Sequence, residues 1–157
     1  MTVAIDSFTG DYAFLSNFYE APIIVGGQVI KTVEHAYQAA KANSQEEALA
    51  ILALDTPAQT KKAGRKVSLR KTWDDEKRQI MVTLLIAKFT QHRDLAEKLV
   101  ATGDAQLVEG NWWGDTYWGV CRGEGENWLG RILMTIRMLM IEQGIDAYIE
   151  EFKSAHI

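Results

Sequence analysis

The spacing of apolar residues predicts a mostly helical chain that begins with a short β-rich segment. After Thr32, apolar positions recur at helical intervals in several stretches, and polar caps or a proline mark where they begin. The longest stripe follows Trp73, and a second long stripe follows Trp128. The predicted helices start near Thr32, Ser44, Pro57, Thr72, Asp94, Trp128 and Asp146.

A β-hairpin is predicted ahead of the first helix. Two apolar runs, at residues 23–25 and 28–30, flank Gly26 and Gly27, which readily adopt the positive φ angles of a tight turn. Repeats and linkers are absent from the sequence. We therefore expect residues 1–157 to form a single compact α+β domain, mostly helical, with a small N-terminal antiparallel sheet.

Charge and cysteine content narrow the class of protein. Seventeen basic and twenty-one acidic residues give a net charge of −4, which argues against tight, nonspecific binding to nucleic acid. The single cysteine, Cys121, excludes an internal disulfide and fits a reducing compartment. The sequence shows neither a signal peptide nor an apolar run of membrane-spanning length, so we expect a cytoplasmic protein with no membrane partner.

The helix after Thr32 carries the most informative polar pattern. Glu34, Gln38 and Lys41 lie at i, i+4 and i+7, so an acid, an amide and an amine share one helical face. Their neighbours are small or apolar, which argues against full exposure. The pattern is compatible with an active-site wall and with a structural ion-pair face.

Polar, aromatic and basic groups elsewhere allow two interpretations each. Asn17 stands among aromatic residues and, if buried, needs a hydrogen-bond partner from the backbone or from a ligand. Trp73 is either a helix staple or a platform for a planar ligand. Basic residues concentrated between Lys61 and Lys71 form either a solvated helix face or an anion-binding wall.

A loop rich in tryptophan and glycine spans residues 109–127. Loops of this composition in small domains are usually functional or tightly packed. Asp115 and Trp118 lie inside it, and Asn127 follows its last glycine at the start of a helix. Free backbone N–H groups at this helix start would form an anion cradle when Arg122 or Arg131 is near.

Several chemistries are excluded by spacing. Glu34-His35 has alanine at position 39 in place of a second histidine, so a zincin-type metal site is absent, and the glycines near residue 125 lack the dinucleotide-binding spacing. We expect no metal and no cofactor. Glu34 and Asp115 could instead act around a glycosidic carbon, where carboxylates stabilise positive charge and activate water. Trp73 and Trp118 offer flat faces for a heterocycle.

Motifs in several parts of the chain resemble those of the YbiA/NADAR family. The matching runs include the T-x-E-H-x-x-Q-x-x-K pattern from Thr32 to Lys41 and the D-x-x-W-G pattern from Asp115. Further matches, in the same order along the chain, are Phe14 to Phe18, Gly64-Arg65, Met81, Lys88-Phe89, Leu107 to Glu109 and Gly125 to Arg137.

The resemblance implies an N-glycosidase that cleaves a ribose from an exocyclic amine. Its substrates would be early riboflavin intermediates or, alternatively, ADP-ribose attached to guanine in nucleic acid. The partner would be a ribosylated base or nucleotide, and a non-catalytic ADP-ribose-binding module is a third possibility. We expect catalytic roles for Glu34, Lys41 and Asp115, with Lys41 as a possible Schiff-base nucleophile. We expect substrate contacts from Asn17, Phe18, His35, Gln38, Arg65, Trp73, Trp118, Gly119, Asn127 and Gly130.

Overall fold

A computed structural model of the chain describes residues 3–153, which form two compact units. The central unit comprises residues Asn17–Lys88, and the terminal unit comprises residues 3–16 and 89–153. The strands are β1 (Ala4–Ile5), β2 (Ile23–Val25), β3 (Gln28–Ile30), β4 (Gln106–Leu107), β5 (Gly110–Asn111) and β6 (Val120–Cys121). The helices are α1 (Val33–Ala40), α2 (Gln45–Leu52), α3 (Pro57–Gly64), α4 (Trp73–Gln91), α5 (Arg93–Ala101), α6 (Trp128–Gln143) and α7 (Ile145–Lys153), and a 3-10 helix spans Gly10–Leu15.

The predicted hairpin opens the central unit. β2 and β3 pair antiparallel, with Ile23 opposite Ile30. The turn uses Gly26 and Gly27 at φ angles of 57° and 78°, a left-handed conformation that residues with a Cβ rarely adopt. The predicted antiparallel sheet is confirmed.

Polar caps fix the starts of the three short helices that pack together in this unit. Thr32 caps α1 by accepting the backbone N–H of His35 at 3.0 Å. Thr56 and Gln59 form a reciprocal capping box at α3. At α2, Ser44 caps the helix by accepting the N–H of Glu47. α1 packs against both α2 and α3.

In the terminal unit, strand pairs connect distant parts of the chain. β1 pairs parallel with β4, and β5 pairs parallel with β6. Helix α6 packs against α5, α7 and β4, and buries Leu133, Ile136 and Met140. The sequence did not predict these parallel pairs, because strands of two residues have no recognisable periodicity.

The described residues have the α+β, mostly helical character that the sequence predicts, so this fold class is confirmed. No helix within residues 3–153 is long and apolar enough to cross a membrane. The organisation of the chain as a single domain stays a prediction.

Candidate functional site

A buried carboxylate and a buried amide form the centre of the candidate site in the central unit. Gln38 donates from Nε2 to Oε1 of Glu34 at 2.7 Å, as expected for residues at i and i+4 of α1. Glu34 is 7% exposed and Gln38 4%. A charged acceptor makes this bond stronger than one between neutral groups, and it fixes one carboxylate oxygen.

Helix α3 holds Gln38 in place through Gly64. A Cβ atom on Gly64 would overlap Oε1 of Gln38 and lie 2.7 Å from its Cδ. A side chain at position 64 would therefore displace the amide that holds Glu34. Oε1 of Gln38 is buried and accepts no hydrogen bond from any residue between 3 and 153. Arg65, predicted to contact substrate, follows directly as the exposed C-cap of α3.

Lys41 completes the predicted polar face at the end of α1. Its Nζ lies 5.5 Å from the centroid of the Tyr37 ring. Burial lowers the pKa of the Lys41 amine, Glu34 opposes this shift, and the positive charges of nearby Arg65 and Lys61 lower the pKa further. The amine is thus more easily deprotonated than an ordinary lysine.

Asn17 and Phe18 lie beside the start of α1. The carbonyl of Asn17 accepts the backbone N–H of Glu34 at 3.1 Å. The Asn17 side chain is buried, and its Nδ2 lies 3.5 Å from Sδ of Met81. Its Oδ1 has no hydrogen-bond partner among the described residues. A buried acceptor of this kind suits a hydrogen-bond donor from a ligand. Phe18 is 39% exposed.

His35 has a structural role in the central unit, and its contact with substrate stays a prediction. The side chain is fully buried, with Nδ1 2.8 Å from Oγ1 of Thr32 and Nε2 2.8 Å from the carbonyl of Leu54. A carbonyl only accepts, so Nε2 carries a proton and donates to Leu54, and in the neutral ring Nδ1 accepts a hydrogen bond from the Thr32 hydroxyl. Both ring nitrogens are occupied, and His35 ties α1 to the chain after α2.

Trp73 is a packing residue rather than an exposed platform. It is 5% exposed, and its ring centroid lies 5.1 Å from that of Tyr37. Of the two interpretations that the sequence left open, this burial favours a packing role, and the contact of Trp73 with substrate stays a prediction.

In the terminal unit, Asn111 holds Asp115 in a closed turn. The Asn111 side chain accepts the N–H of Asp115 at 3.0 Å and donates to its carbonyl at 2.8 Å. Oδ1 of Asp115 accepts the N–H groups of Tyr117 and Trp118 at 3.1 and 2.9 Å. One carboxylate oxygen of Asp115 therefore stabilises the loop. The same oxygen fixes the backbone of the half-buried Trp118.

Glu109 is a second carboxylate in this loop, outside the predicted set of site residues. Its Oε2 accepts from Nδ2 of Asn111 at 3.1 Å. A Cβ on Gly119 would overlap both Oε2 and the carbonyl of Glu109, so only glycine fits there. The sequence signal was present, because Glu109 belongs to one of the family-like runs. Trp112, 83% exposed, does not belong to the core.

The predicted anion cradle at the start of α6 is wrong. The N–H groups of Asn127, Trp128 and Leu129 donate to the carbonyls of Gly119, Tyr117 and Trp118. These donors are consumed within the protein, and none of the three is available to an anion.

Asn127 and Gly130 join α6 to the chain after β4. The side chain of Asn127 accepts the N–H of Glu109 at 3.0 Å and donates to the carbonyl of Leu107 at 2.9 Å, from a backbone with φ of 55°. A Cβ on Gly130 would overlap the Leu107 carbonyl. Both residues have a structural role here, and their contact with substrate stays a prediction.

Lys88 is a buried lysine of α4 that lies outside the predicted set of site residues. It is 1% exposed, its Nζ lies 5.7 Å from the Tyr19 ring centroid, and burial lowers its pKa to about 7. A signal existed, because Lys88 follows Met81 and Leu84 at helical spacing on the apolar stripe of α4.

The described residues contain no group of three or more His, Cys, Asp and Glu side chains placed to hold a metal ion. The chemistry available in the central unit is that of a fixed carboxylate beside an amine of lowered pKa. That Glu34 and Asp115 act on the same sugar stays a prediction.

Comparison with known proteins identifies the family. The profile of the NADAR domain matches residues 6–140. The N-glycosidase YbiA of Escherichia coli strain K12 is 40% identical over 141 residues, which are 87% of this chain and 88% of that protein. The riboflavin biosynthesis protein VVA0006 of Vibrio vulnificus is 36% identical over 130 residues, covering 81% of this chain and 35% of that protein.

A solved structure agrees with this assignment. The NMR structure of E. coli YbiA superposes with a TM-score of 0.80 at 39% identity, and the match covers 90% of this chain and 88% of that chain. The profile match, the sequence identity and the shared fold together place this chain in the NADAR family, as its motifs predict.

Proposed function

We propose that this chain hydrolyses the bond between ribose 5-phosphate and the exocyclic amine of an amino-pyrimidine, as in the early intermediates of riboflavin synthesis. The reaction class, hydrolysis of an N-glycosyl bond, is confirmed by relatives that are named N-glycosidases. A relative named as a riboflavin biosynthesis protein supports the choice of substrate. The substrate and the role of each residue are the proposal.

The observation that carries the proposal is the buried Glu34 carboxylate, fixed by Gln38 at 2.7 Å. Breaking the bond between C1′ and nitrogen builds positive charge on the sugar, which a nearby carboxylate stabilises. Glu34 also takes a proton from the attacking water and returns it to the leaving amine. The products are ribose 5-phosphate and the free amino-pyrimidine, so one water is consumed and no other reactant is needed.

Asp115 and Trp118 complete the proposed machinery. Asp115 would hold the ribose hydroxyls or the water through the oxygen that is not used by the backbone of its own loop. Trp118, which is half-buried, would stack on the base. If both carboxylates act on one substrate, the losses caused by Glu34→Gln and Asp115→Asn will not be additive in the double variant.

Lys41 supports a second route for the same reaction. A ribosylamine opens to an imine, and the neutral amine of Lys41 can add to C1 while the amino-pyrimidine leaves. Water then hydrolyses the lysine imine and releases ribose 5-phosphate. The lowered pKa of Lys41 favours the neutral amine that this route requires.

The test compares three substrates with one preparation of the protein: a ribosylamino-pyrimidine phosphate, guanine-ADP-ribosylated DNA and NAD. We expect release of free base and ribose 5-phosphate from the first. Glu34→Gln should reduce that turnover about a hundredfold or more, while Glu46→Gln, at an exposed position on α2, serves as the matched control. Near-normal turnover by Glu34→Gln would overturn the role of this carboxylate.

Removal of ADP-ribose from guanine is the second candidate function. Exposed Lys62, Lys66 and Lys71 add positive charge in the central unit, which suits a nucleic-acid substrate. Preferential turnover of the modified DNA would select this reaction over the first. In either case we propose that the protein works in the cytoplasm, which agrees with its single cysteine.

A further inference from the structure

Glu109 is held at several points in the terminal unit. Its backbone N–H donates to Oδ1 of Asn127 at 3.0 Å, and its carbonyl accepts the N–H of Val120 at 2.9 Å. A Cβ atom on Gly119 would overlap both the carboxylate oxygen Oε2 and the carbonyl oxygen of Glu109, so the backbone of Gly119 packs directly on this residue. The Glu109 carboxylate therefore has a defined position at the start of the loop of residues 109–127.

The Asn111 amide connects this carboxylate to Asp115. Nδ2 of Asn111 donates to Oε2 of Glu109 at 3.1 Å and to the carbonyl of Asp115 at 2.8 Å. Oδ1 of Asn111 accepts the N–H of Asp115 at 3.0 Å. Because an ionised carboxylate only accepts, Glu109 fixes which end of the amide is the donor. The Glu109–Asn111 pair thus holds the backbone of Asp115 by both its N–H and its carbonyl.

The side chain of Asp115 is fixed as well. Its Oδ1 accepts the N–H groups of Tyr117 and Trp118 at 3.1 and 2.9 Å. The rings of these two residues meet edge to face, with their centroids 4.8 Å apart. With its backbone held by Asn111 and one carboxylate oxygen held by the loop, Asp115 presents its second oxygen in a defined direction. In the proposed function, this second oxygen accepts the ribose hydroxyls.

A fixed carboxylate is a selective acceptor. A site built to bond a hydroxyl rejects an analogue that lacks it, because the buried acceptor then stays without its bond. A carboxylate that could turn towards water would replace the missing bond and lose this selectivity. Hydrogen bonds to the 2-hydroxyl of a sugar also strengthen as positive charge builds on C1′. Selectivity for the sugar therefore depends on the groups that fix Asp115 as well as on Asp115 itself.

We propose that Glu109 and Asn111 are positioning residues that fix Asp115 for the ribose hydroxyls, and that they thereby set a preference for ribosyl over 2′-deoxyribosyl substrates. The inference rests on the proposed function and deepens it, because it names the sugar that the site selects and the residues that make it selective. Both residues act through Asp115 and not by contact with the substrate.

The first test measures sugar selectivity. Values of kcat/KM are compared for a ribosylamino-pyrimidine phosphate and its 2′-deoxyribosyl analogue, in the wild type and in Asn111→Asp, which keeps the shape of the side chain but replaces its donor by an acceptor. We expect the wild type to prefer the ribosyl substrate about a hundredfold and the variant about tenfold or less, with the loss confined to the ribosyl substrate.

The matched control is Glu124→Gln, at an exposed position of the same loop, which should keep the wild-type ratio. Thermal denaturation checks that each variant is folded. A general structural defect in Asn111→Asp would lower kcat/KM for both substrates alike and leave their ratio unchanged. That result would overturn the inference.

A second variant tests the contact within the pair. In the double variant Glu109→Gln, Asn111→Asp, the amide introduced at position 109 can donate to the carboxylate introduced at position 111, so the bond returns with donor and acceptor exchanged. We expect the ribosyl preference to recover about threefold or more relative to Asn111→Asp alone. Equal preferences in the double and the single variant would show that Glu109 does not act through Asn111, against the proposal.

The third test does not depend on turnover. Calorimetric titrations compare ribose 5-phosphate with 2-deoxyribose 5-phosphate as ligands. The wild type should bind the ribose compound more tightly, and Asn111→Asp should lose that preference; equal binding of both sugars by the wild type would refute the inference. Loss of the preference in a protein that cleaves neither substrate would keep the positioning role and reject the proposed function. Turnover with wild-type selectivity in Asn111→Asp would keep the proposed function and reject the role of the pair.

Discussion

The amide of Gln38 and the carboxylate of Glu34 are joined by a hydrogen bond of 2.7 Å, and both side chains are buried on one face of α1. The other end of the same amide packs on Gly64 of α3. The position of the carboxylate therefore depends on a helix that follows it by some thirty positions in sequence.

The first prediction concerns this bond. Gln38→Met keeps the length of the side chain but removes the donor, and we expect kcat to fall about tenfold, because a hydrogen bond to a charged group is worth about 1.5–3 kcal/mol. Gly64→Ala should cause a similar loss by pushing the amide away. Steady-state kinetics measure both, and thermal denaturation checks folding. Wild-type kcat in both folded variants would show that Glu34 does not need this support.

The second prediction concerns covalent chemistry at Lys41. If the imine route operates, borohydride added during turnover traps a ribityl adduct that peptide mapping assigns to Lys41. Lys41→Arg should abolish the adduct, while Lys62→Arg should retain it. Absence of any adduct would leave Lys41 as a charge partner of Glu34, and an adduct on Lys88 would move the nucleophile to α4.

The third prediction follows from the buried lysine of α4. The pKa of Lys88 is about 7 in the folded protein and about 10.4 in the unfolded chain. Between these values the unfolded chain binds more protons, so the free energy of unfolding rises with pH, by at most about 1.4 kcal/mol per pH unit. Below about pH 7 the buried amine is charged, and its burial lowers the free energy of unfolding by the full amount.

Urea denaturation of the wild type and of Lys88→Met, at several values between about pH 6 and pH 9, measures this effect. The variant removes the titrating group but keeps an apolar chain of similar length. As pH rises, the free energy of unfolding of the wild type should increase relative to that of the variant. A pH-independent difference would mean that Lys88 titrates normally.

The fourth prediction concerns Asn127, which bonds both Leu107 and Glu109. Asn127→Ala removes both bonds and puts alanine in a left-handed conformation, so we expect a loss of about 2–4 kcal/mol in the free energy of unfolding. Asn127→Gly restores the backbone freedom alone and should recover about 1 kcal/mol of it. Equal stability of the two variants would show that the positive φ angle costs nothing here. Denaturant titration measures both.

Local features of the sequence predicted much of the fold. The caps at Thr32 and Ser44, the start of α3 at Pro57 and the hairpin at Gly26-Gly27 depend on residues close together in the chain, and each one is present in the structure. Contacts between residues far apart in the chain were not predicted. The pairing of β1 with β4 left no periodic signal, because each strand has two residues.

For the candidate site, too, the sequence predicted local spacing but not the contacts between distant residues. Helical spacing placed Glu34, Gln38 and Lys41 on one face, and the structure brings the first two into direct contact. Spacing could not reveal that His35 has both ring nitrogens occupied by the protein. It also could not reveal that carbonyls of the preceding loop occupy the N–H groups at the start of α6, since that depends on how the loop folds back.

The close approach of α3 to α1 at Gly64 has a consequence for substitutions away from the substrate. Because Gly64 has no side chain, the backbone of α3 packs directly on the side chain of Gln38. The amide that holds Glu34 therefore lies against a neighbouring backbone, which cannot move aside by a change of rotamer. If cleavage occurs at Glu34, a substitution at position 64 would alter the reaction without touching the substrate.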